Sequence, residues 1–377
     1  MSAKTHALLS ASSAARWINC PPSARLCENQ PDKPSEYAEE GTQAHALCEY
    51  KVRKYLGEKV TDPTKNLTKY DNEMEEAAEF YLHFVKDFIA YAKGDGGEVM
   101  TLVEQRVDFS KFVPDGFGTA DVLIVSDKNL IVADFKYGKG VKVNAEWNPQ
   151  LMCYALGALQ MFGDLYEIEK ITMFIIQPRM TAISDFEISK ADLLMWAEKI
   201  LKPAAKSAYD GEGNFKAGDH CQFCKVKAEC RKRAEYNLEL AKYDFQMPST
   251  LEDSEIEIIL AKADLLEKWI ADVQEFALKS ALQGKKWQGW KVVEGRSNRQ
   301  YTDEKAVEKV VRDAGFEPCE KKVLGVTAMT KMLGTKKFNE LLKNYVEKPQ
   351  GKPTLVPASD KRPEWNSAVK DFEQEDK

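Results

Sequence analysis

Asp121, Asp134 and Lys136 are the residues with the most chemistry to offer. Asp121 closes Gly118-Thr119-Ala120-Asp121, and Asp134-Phe135-Lys136 follows the turn Ser126-Asp127-Lys128-Asn129. If the flanking runs, Gly118 to Val125 and Leu130 to Tyr137, pair as a hairpin, Asp121 falls opposite residues 134 to 136. Asp134 and Lys136 then share a face through the two-residue strand repeat. Two carboxylates and a backbone carbonyl, that of Phe135, form the all-oxygen ligand set that Mg²⁺ or Mn²⁺ takes, and the neighbouring lysine can hold or help deprotonate an attacking water. Such a set suits phosphodiester hydrolysis. An isolated Asp-x-Lys is ordinarily a weak surface ion pair. Asp134, however, closes the apolar run Leu130-Ile131-Val132-Ala133, where a charge is harder to dismiss. Gln150 and Tyr154 stand four apart on the next helix, share one of its faces and can reach back across the strand ends to position a phosphate or a base. His45 can add a nitrogen ligand that widens the site toward Mn²⁺, its plainer role being that of a packed or surface histidine.

A second constellation is made of sulfur. Cys221, Cys224 and Cys230 form Cys-x2-Cys-x5-Cys, with Cys20 some two hundred residues earlier. Two ligand sets are open: a local zinc knuckle of His220, Cys221, Cys224 and Cys230, or a four-thiolate site completed by Cys20 that suits zinc or an iron–sulfur cluster. Zinc ligands usually come in two close pairs, so a tight trio with one remote partner favours iron–sulfur. Cys27, Cys48, Cys153 and Cys319 read as buried thiols.

Elements able to position these groups are legible. The chain has 377 residues, 44% of them hydrophobic, enough to bury a substantial core. Helices are expected over Leu8 to Arg16, Glu40 to Tyr55, Asn72 to Lys93, Pro149 to Phe162 and Lys190 to Tyr209. Strands are expected over Val99 to Phe109, the two hairpin runs, and Ile171 to Gln177. This order predicts an α/β fold around a mixed sheet. The formal net charge of -6 leaves nucleic-acid contact to a local groove. No apolar run of membrane-spanning length or export signal is visible, so a cytoplasmic protein with reduced or metal-bound cysteines is expected.

Taken together, these motifs resemble the RecB-like branch of the PD-(D/E)xK (restriction-endonuclease-like) nucleases, and within it the iron–sulfur members, the AddB-type helicase-nuclease subunit and the CRISPR adaptation exonucleases. The resemblance covers roughly Leu8 to Arg233 and includes Ser-x-x-x-x-Trp-x-x-Cys-Pro from Ser12 through Trp17 to Cys20-Pro21. It implies that His45, Asp121 and Asp134 bind the metal, that Lys136 is catalytic, that Gln150 and Tyr154 form the trailing motif, and that Glu104 matches a weaker acidic position. It further implies that Cys20, Cys221, Cys224 and Cys230 ligate a [4Fe-4S] cluster. In one departure, the nearby Pro-Asp pair, Pro114-Asp115, precedes the hairpin. The whole chain also resembles uncharacterised phage and prophage proteins thought to serve recombination or replication. DNA, as single strands or duplex ends, is then the expected partner of an exonuclease, alongside a phage single-strand-binding or annealing protein or a separate helicase. No phosphate loop of Gly-x-x-x-x-Gly-Lys-Ser/Thr type is present, so unwinding would fall to another chain. The alternative is a non-catalytic nucleic-acid-binding or assembly protein that keeps the nuclease fold.

The nuclease region is expected to occupy residues 1–245. A smaller, mainly helical α+β region over 246–350 should carry a long helix capped near Ser249 to Glu252 and ending before Gly284. Beyond it come a strand at Trp287 to Val293, a helix from Asp303 to Gly315, and two short helices broken at Gly334. Residues 351–377 read as an extended polar tail.

Overall fold

The computed structural model describes residues 7–31, 36–94, 98–239, 251–293, 303–313, 315 and 323–346. The chain divides into two compact units, Met1–Val293 and Glu294–Lys377. The boundary follows the long helix, which had been expected to open the C-terminal region.

The first unit begins with a short 3₁₀ turn (Ala11–Ser13), α1 (Ala14–Asn19) and α2 (Ser23–Glu28). The expected first helix is therefore shifted toward the cysteine, and α2 resumes directly after the Pro21-Pro22 turn. α3 (Glu36–Tyr55) and α4 (Asn72–Lys93) follow, the second capped by Asp71, whose side chain accepts from Met74 N–H. The sheet comprises β1 (Met100–Asp108), β2 (Phe117–Val125), β3 (Asn129–Phe135), β4 (Lys170–Gln177) and β5 (Ala182–Ser189), in that spatial order. β3 and β4 are parallel and the other neighbours antiparallel, so the sheet is mixed. The crossover between the parallel pair is α5 (Pro149–Phe162). β5 was not expected: it has one buried residue, Ile188, and its Asp185 and Glu187 blur the apolar alternation.

α6 (Lys190–Trp196), a π turn at Ala197–Leu201 and α7 (Lys202–Asp210) form the next helical run, with Pro203, which lacks an N–H, in the first turn of α7. α8 (Arg231–Leu238) and α9 (Asp253–Leu282) complete the unit. Glu252 and Glu255 cap α9 reciprocally. Asp272 of α9 lies 2.6 Å from Arg233 and 2.7 Å from Lys227, which ties the helix to the end of the cysteine segment. Trp287 to Val293 is not a strand. Gln288 and Gly289 turn, and the alternating letters pair with no neighbour among the described residues.

Two apolar layers enclose the sheet. Val122, Ile124, Ile131, Ala133 and Phe135 face α3 and α4, against Leu47, Val52, Tyr81 and Val85. Leu123, Val125, Leu130 and Val132 face the side of Trp17, Leu151, Met152 and Ala155. Fully burying one such side chain stabilises by roughly 1.5–3 kcal/mol. Trp17 is wholly buried, and its indole N–H donates to the Ser10 carbonyl at 3.1 Å, fixing the chain just before Cys20.

In the second unit the described helices are α10 (Glu304–Asp313), α11 (Val326–Leu333) and α12 (Thr335–Leu342), the last two separated at Gly334 as expected. Cys319 and the tail of 351–377 lie outside the described residues. Among the described residues, no helix is long and apolar enough to cross a membrane.

Candidate functional site

Pleat alternation breaks at one place in the sheet. In β2, Ala120 packs on the α5 side and Val122 on the α3/α4 side, although residues two apart should share a face. The same holds in β1 for Val103 and Val107, four apart yet on opposite sides. The ladder pairs Val103 with Val122 and Gln105 with Ala120, and skips Glu104 and Asp121 between them. Glu104 sits at φ 48°, the left-handed region that a residue with a Cβ enters at a cost of about 1–2 kcal/mol. Such strain persists where surrounding structure enforces it, and it clusters at working sites. Here it accompanies the convergence of two carboxylates. The nearby Val103 carbonyl accepts from Arg53 Nη2 of α3 at 2.8 Å.

His45 reaches the same point from α3, its ring set edge-on to Phe135 at 5.2 Å. His45, Glu104 and Asp121 each offer a ligand atom within 4.8 Å of the others, the one such group among the described residues. His45 Nδ1 is 3.5 Å from Asp121 Oδ2, which also accepts the Phe135 N–H at 2.7 Å. That bond shows the hairpin opening: continuing its register would set Asp121 opposite Asp134, but the ladder stops at Val122 and Ala133.

Asp134 is buried at 1% exposure, with Lys136 Nζ 2.7 Å from its Oδ2 and Gln150 Nε2 donating to its Oδ1 at 3.1 Å. Gln150 also accepts from Lys136 Nζ at 3.3 Å and meets the Tyr154 hydroxyl at 3.0 Å. Asn148 directs this face by capping α5, its side chain accepting from Gln150 N–H and Leu151 N–H. Gly118 admits the tyrosine: a Cβ there would stand 2.8 Å from the Tyr154 ring. Asp121, Asp134, Lys136, Gln150, Tyr154 and His45 thus gather around the end of the hairpin. Phe135 contributes its backbone there and buries its ring in the α3/α4 layer.

Electrostatics separate the two aspartates. Burial raises Asp121, but His45, Lys136 and the Phe135 N–H outweigh it, and the net shift is downward. Asp134 shifts upward, through burial and the Asp121 charge against the pull of Lys136. For Lys136, the two aspartates overcome burial and hold it protonated. His45 is raised to about 8 despite burial, by Asp121 and then Asp134. Burial and Asp121 lift Glu104 to about 7. Carboxylates pushed apart in this way can take different roles. The carboxylate oxygens and the imidazole nitrogen fit a hard or borderline divalent ion such as Mg²⁺ or Mn²⁺.

Cys20, Cys221, Cys224 and Cys230 line one small cavity of ≈ 20 Å³, together with Arg16, Lys216, Lys227, Lys232 and Arg233 and, among the described residues, no carboxylate, though Lys227 and Arg233 are paired with Asp272 of α9. Burial raises the Cys221 thiol, and the hydrogen bond with Cys27 together with burial raises that of Cys224. No three of these sulfurs lie within 4.8 Å of one another. His220 is otherwise engaged, with Nε2 2.9 Å from the Lys216 carbonyl. Cys27 was not expected at this place, yet its sulfur is 3.7 Å from that of Cys224. Its position seven residues beyond Cys20 was the one signal available. Asp115 stands apart, paired with the Tyr209 hydroxyl at 3.3 Å.

A family model described as "Protein of unknown function (DUF2800)" matches residues 6–363. Among solved structures, the crystal structure of SSO0001 aligns over 51% of this chain and 98% of its own, at 16% identity and a TM-score of 0.21.

Proposed function

The chain belongs to the DUF2800 family, whose description assigns no activity, and from its sheet site we propose that it is a divalent-metal-dependent deoxyribonuclease of the RecB-like PD-(D/E)xK kind. The observation that carries the reading is one connected polar set: His45, Glu104 and Asp121 within ligand reach of each other, and Asp134, Lys136 and Gln150 bonded beside them. His45, Asp121 and Asp134 would hold the ion, with Glu104 as a further carboxylate. When bound, Mg²⁺ or Mn²⁺ supplies Lewis acidity at a phosphoryl oxygen and offsets the charge that develops there.

The chain's own residues do the rest. Lys136 keeps a proton on Nζ and places a positive charge where an attacking water or a non-bridging phosphate oxygen must be oriented. Gln150 fixes that ammonium against Asp134 through its two amide atoms, and Tyr154 fixes the Gln150 amide in turn. His45 becomes a ligand by releasing its proton. Cys20, Cys221, Cys224 and Cys230 would hold a [4Fe-4S] cluster as a clip between the N-terminal segment and the end of the core. The cluster's place would be structural. An exonuclease serving phage recombination, replication or repair in the cytoplasm is the setting this reading favours.

End-labelled linear and circular DNA, incubated anaerobically with Mg²⁺ or Mn²⁺, tests the proposal. Metal-dependent loss of linear substrate is expected, slowed by about 10²- to 10⁴-fold in Asp134→Asn. Intact DNA with both ions, from protein that carries its cluster and is folded, overturns it.

A further inference from the structure

Far along the chain from the sheet site, α9 ends in a basic and aromatic cap. Gly284, at φ 98°, stops the helix, and Lys285-Lys286-Trp287-Gln288-Gly289-Trp290-Lys291 folds back beside its last turns. Trp287 is anchored: its indole N–H donates to the Ala277 carbonyl at 2.9 Å and its ring meets Phe276 edge-on at 6.5 Å. Lys285 lies over the Trp287 ring at 4.1 Å. Gly289 then turns the chain at φ 80° and leaves Trp290 82% exposed. A tryptophan left this open gains nothing from burial in the unit to which it belongs.

These residues border a half-open groove of ≈ 940 Å³ whose lining includes Lys285, Lys286 and Lys291 and, among the described residues, no carboxylate. All three lysines are exposed. In a chain of net charge -6, that local balance is the reverse of the whole. A fixed ring and a free one on a groove lined by three lysines match what an unpaired nucleic-acid strand offers: a π face on every base and a charge on every phosphate. A duplex hides its base faces and would meet the lysines alone.

We propose that the Trp287/Trp290 cap binds single-stranded nucleic acid, with Trp290 stacking on a base and Lys285, Lys286 and Lys291 meeting phosphates. The proposal goes beyond the hydrolytic site and needs neither a metal nor catalysis.

Binding of a fluorescein-labelled oligothymidylate to the full-length protein in EDTA reads the cap without cleavage. Trp290→Ala should weaken binding about 5- to 150-fold, the range for losing one base stack, and Trp290→Phe should restore most of it. Replacing the three lysines by alanine should flatten the plot of log affinity against log salt by about 2, from roughly 0.7 per phosphate contact on a single strand. Trp290→Ala should leave that slope unchanged. Unaltered affinity in Trp290→Ala overturns the proposal, as does equal loss for a duplex competitor. Binding of the cap to anionic phospholipid vesicles with none to the oligonucleotide makes it a membrane contact instead. A sharp fall in the melting temperature of Trp290→Ala with unaltered affinity makes it a surface covered by the chain itself. Because none of these readouts uses cleavage, the nuclease reading can fail while this one stands, and the reverse.

Discussion

Asp134 already has Lys136 Nζ at 2.7 Å and Gln150 Nε2 at 3.1 Å, whereas the cysteine sulfurs share a cavity without any three of them coming within 4.8 Å. The sheet site is held by bonds among its own groups, so the fold pre-organises it before any ion arrives. The cysteine pocket is assembled by what surrounds it. Trp17 pins the chain before Cys20, a 3₁₀ turn over Asp219–Phe223 carries Cys221, and Cys230 stands at the start of α8. Its lining carries Arg16, Lys216, Lys227, Lys232 and Arg233, of which Lys227 and Arg233 are already paired with Asp272. The difference separates two kinds of dependence. Removing a carboxylate should cost chemistry with little fold, and removing a cysteine should cost fold and only then chemistry.

The largest effect expected is on cleavage. Asp121→Asn or Asp134→Asn should lower metal-dependent hydrolysis by about 10²- to 10⁴-fold, the span of a lost acid–base or charge-positioning group. Circular dichroism and visible absorbance should stay as in the parent protein. A variant that cuts DNA normally would break the comparison at its stronger end.

Cys20→Ser should do the reverse, bleaching the visible iron–sulfur absorbance and lowering the melting temperature by on the order of 5 °C, roughly 3 kcal/mol for a unit of this size. The 3.7 Å approach of Cys27 to Cys224 adds a second arm. If Cys20 is the fourth ligand, Cys27→Ser keeps the colour and the iron content. Colour lost in Cys27→Ser and kept in Cys20→Ser would reassign the ligand, and stoichiometric zinc without iron would reject the cluster.

Proton linkage sharpens the same contrast. In the metal-free protein His45 titrates at about 8 and Glu104 at about 7, both raised, so each tends to carry a proton that a metal ion must displace. Mn²⁺ affinity should therefore rise with pH through that interval and level off above it. Well below it, affinity should fall by up to about tenfold per pH unit for each proton released. Calorimetry in two buffers of different ionisation enthalpy counts those protons. Glu104→Gln should remove one, and a pH-independent affinity would exclude both groups as ligands.

Much of the site was legible because the hairpin is local. The turn at 126–129 fixes the register as far as Val122 and Ala133, which leaves Asp121 next to Asp134 although the ladder itself stops there. Gln150 and Tyr154 were legible for a similar reason, since Asn148-Pro149 sets the helix start and the spacing of four sets the face. Glu104 was visible only as an acidic letter on a strand. Its role depends on a backbone turned to φ 48°, which its own residue type disfavours. Cys27 was hidden because its partner is Cys224, 197 positions away. Trp287 to Val293 misled through its alternation: the period of a strand was present, but among the described residues no strand pairs with it.

The smallest predicted effect tests whether the break in the pleat belongs to the site or merely coincides with it. Glycine enters the left-handed region without the steric cost that glutamate bears, and Glu104→Gly also removes a carboxyl held near the Asp121 charge. Against this stands the greater freedom glycine brings to the unfolded chain, worth several tenths of a kcal/mol to about 1 kcal/mol. The balance should leave the variant as stable as the parent or up to about 1 kcal/mol more stable, while its Mn²⁺ affinity falls. Glu104→Ala retains the strain and loses the ligand, so it should bind Mn²⁺ as weakly as the glycine variant and melt at a lower temperature. If glycine instead destabilises the protein as much as alanine does, φ at residue 104 is not a strained conformation kept for the carboxylate. The coincidence of Glu104 with Asp121 would then lose its energetic argument.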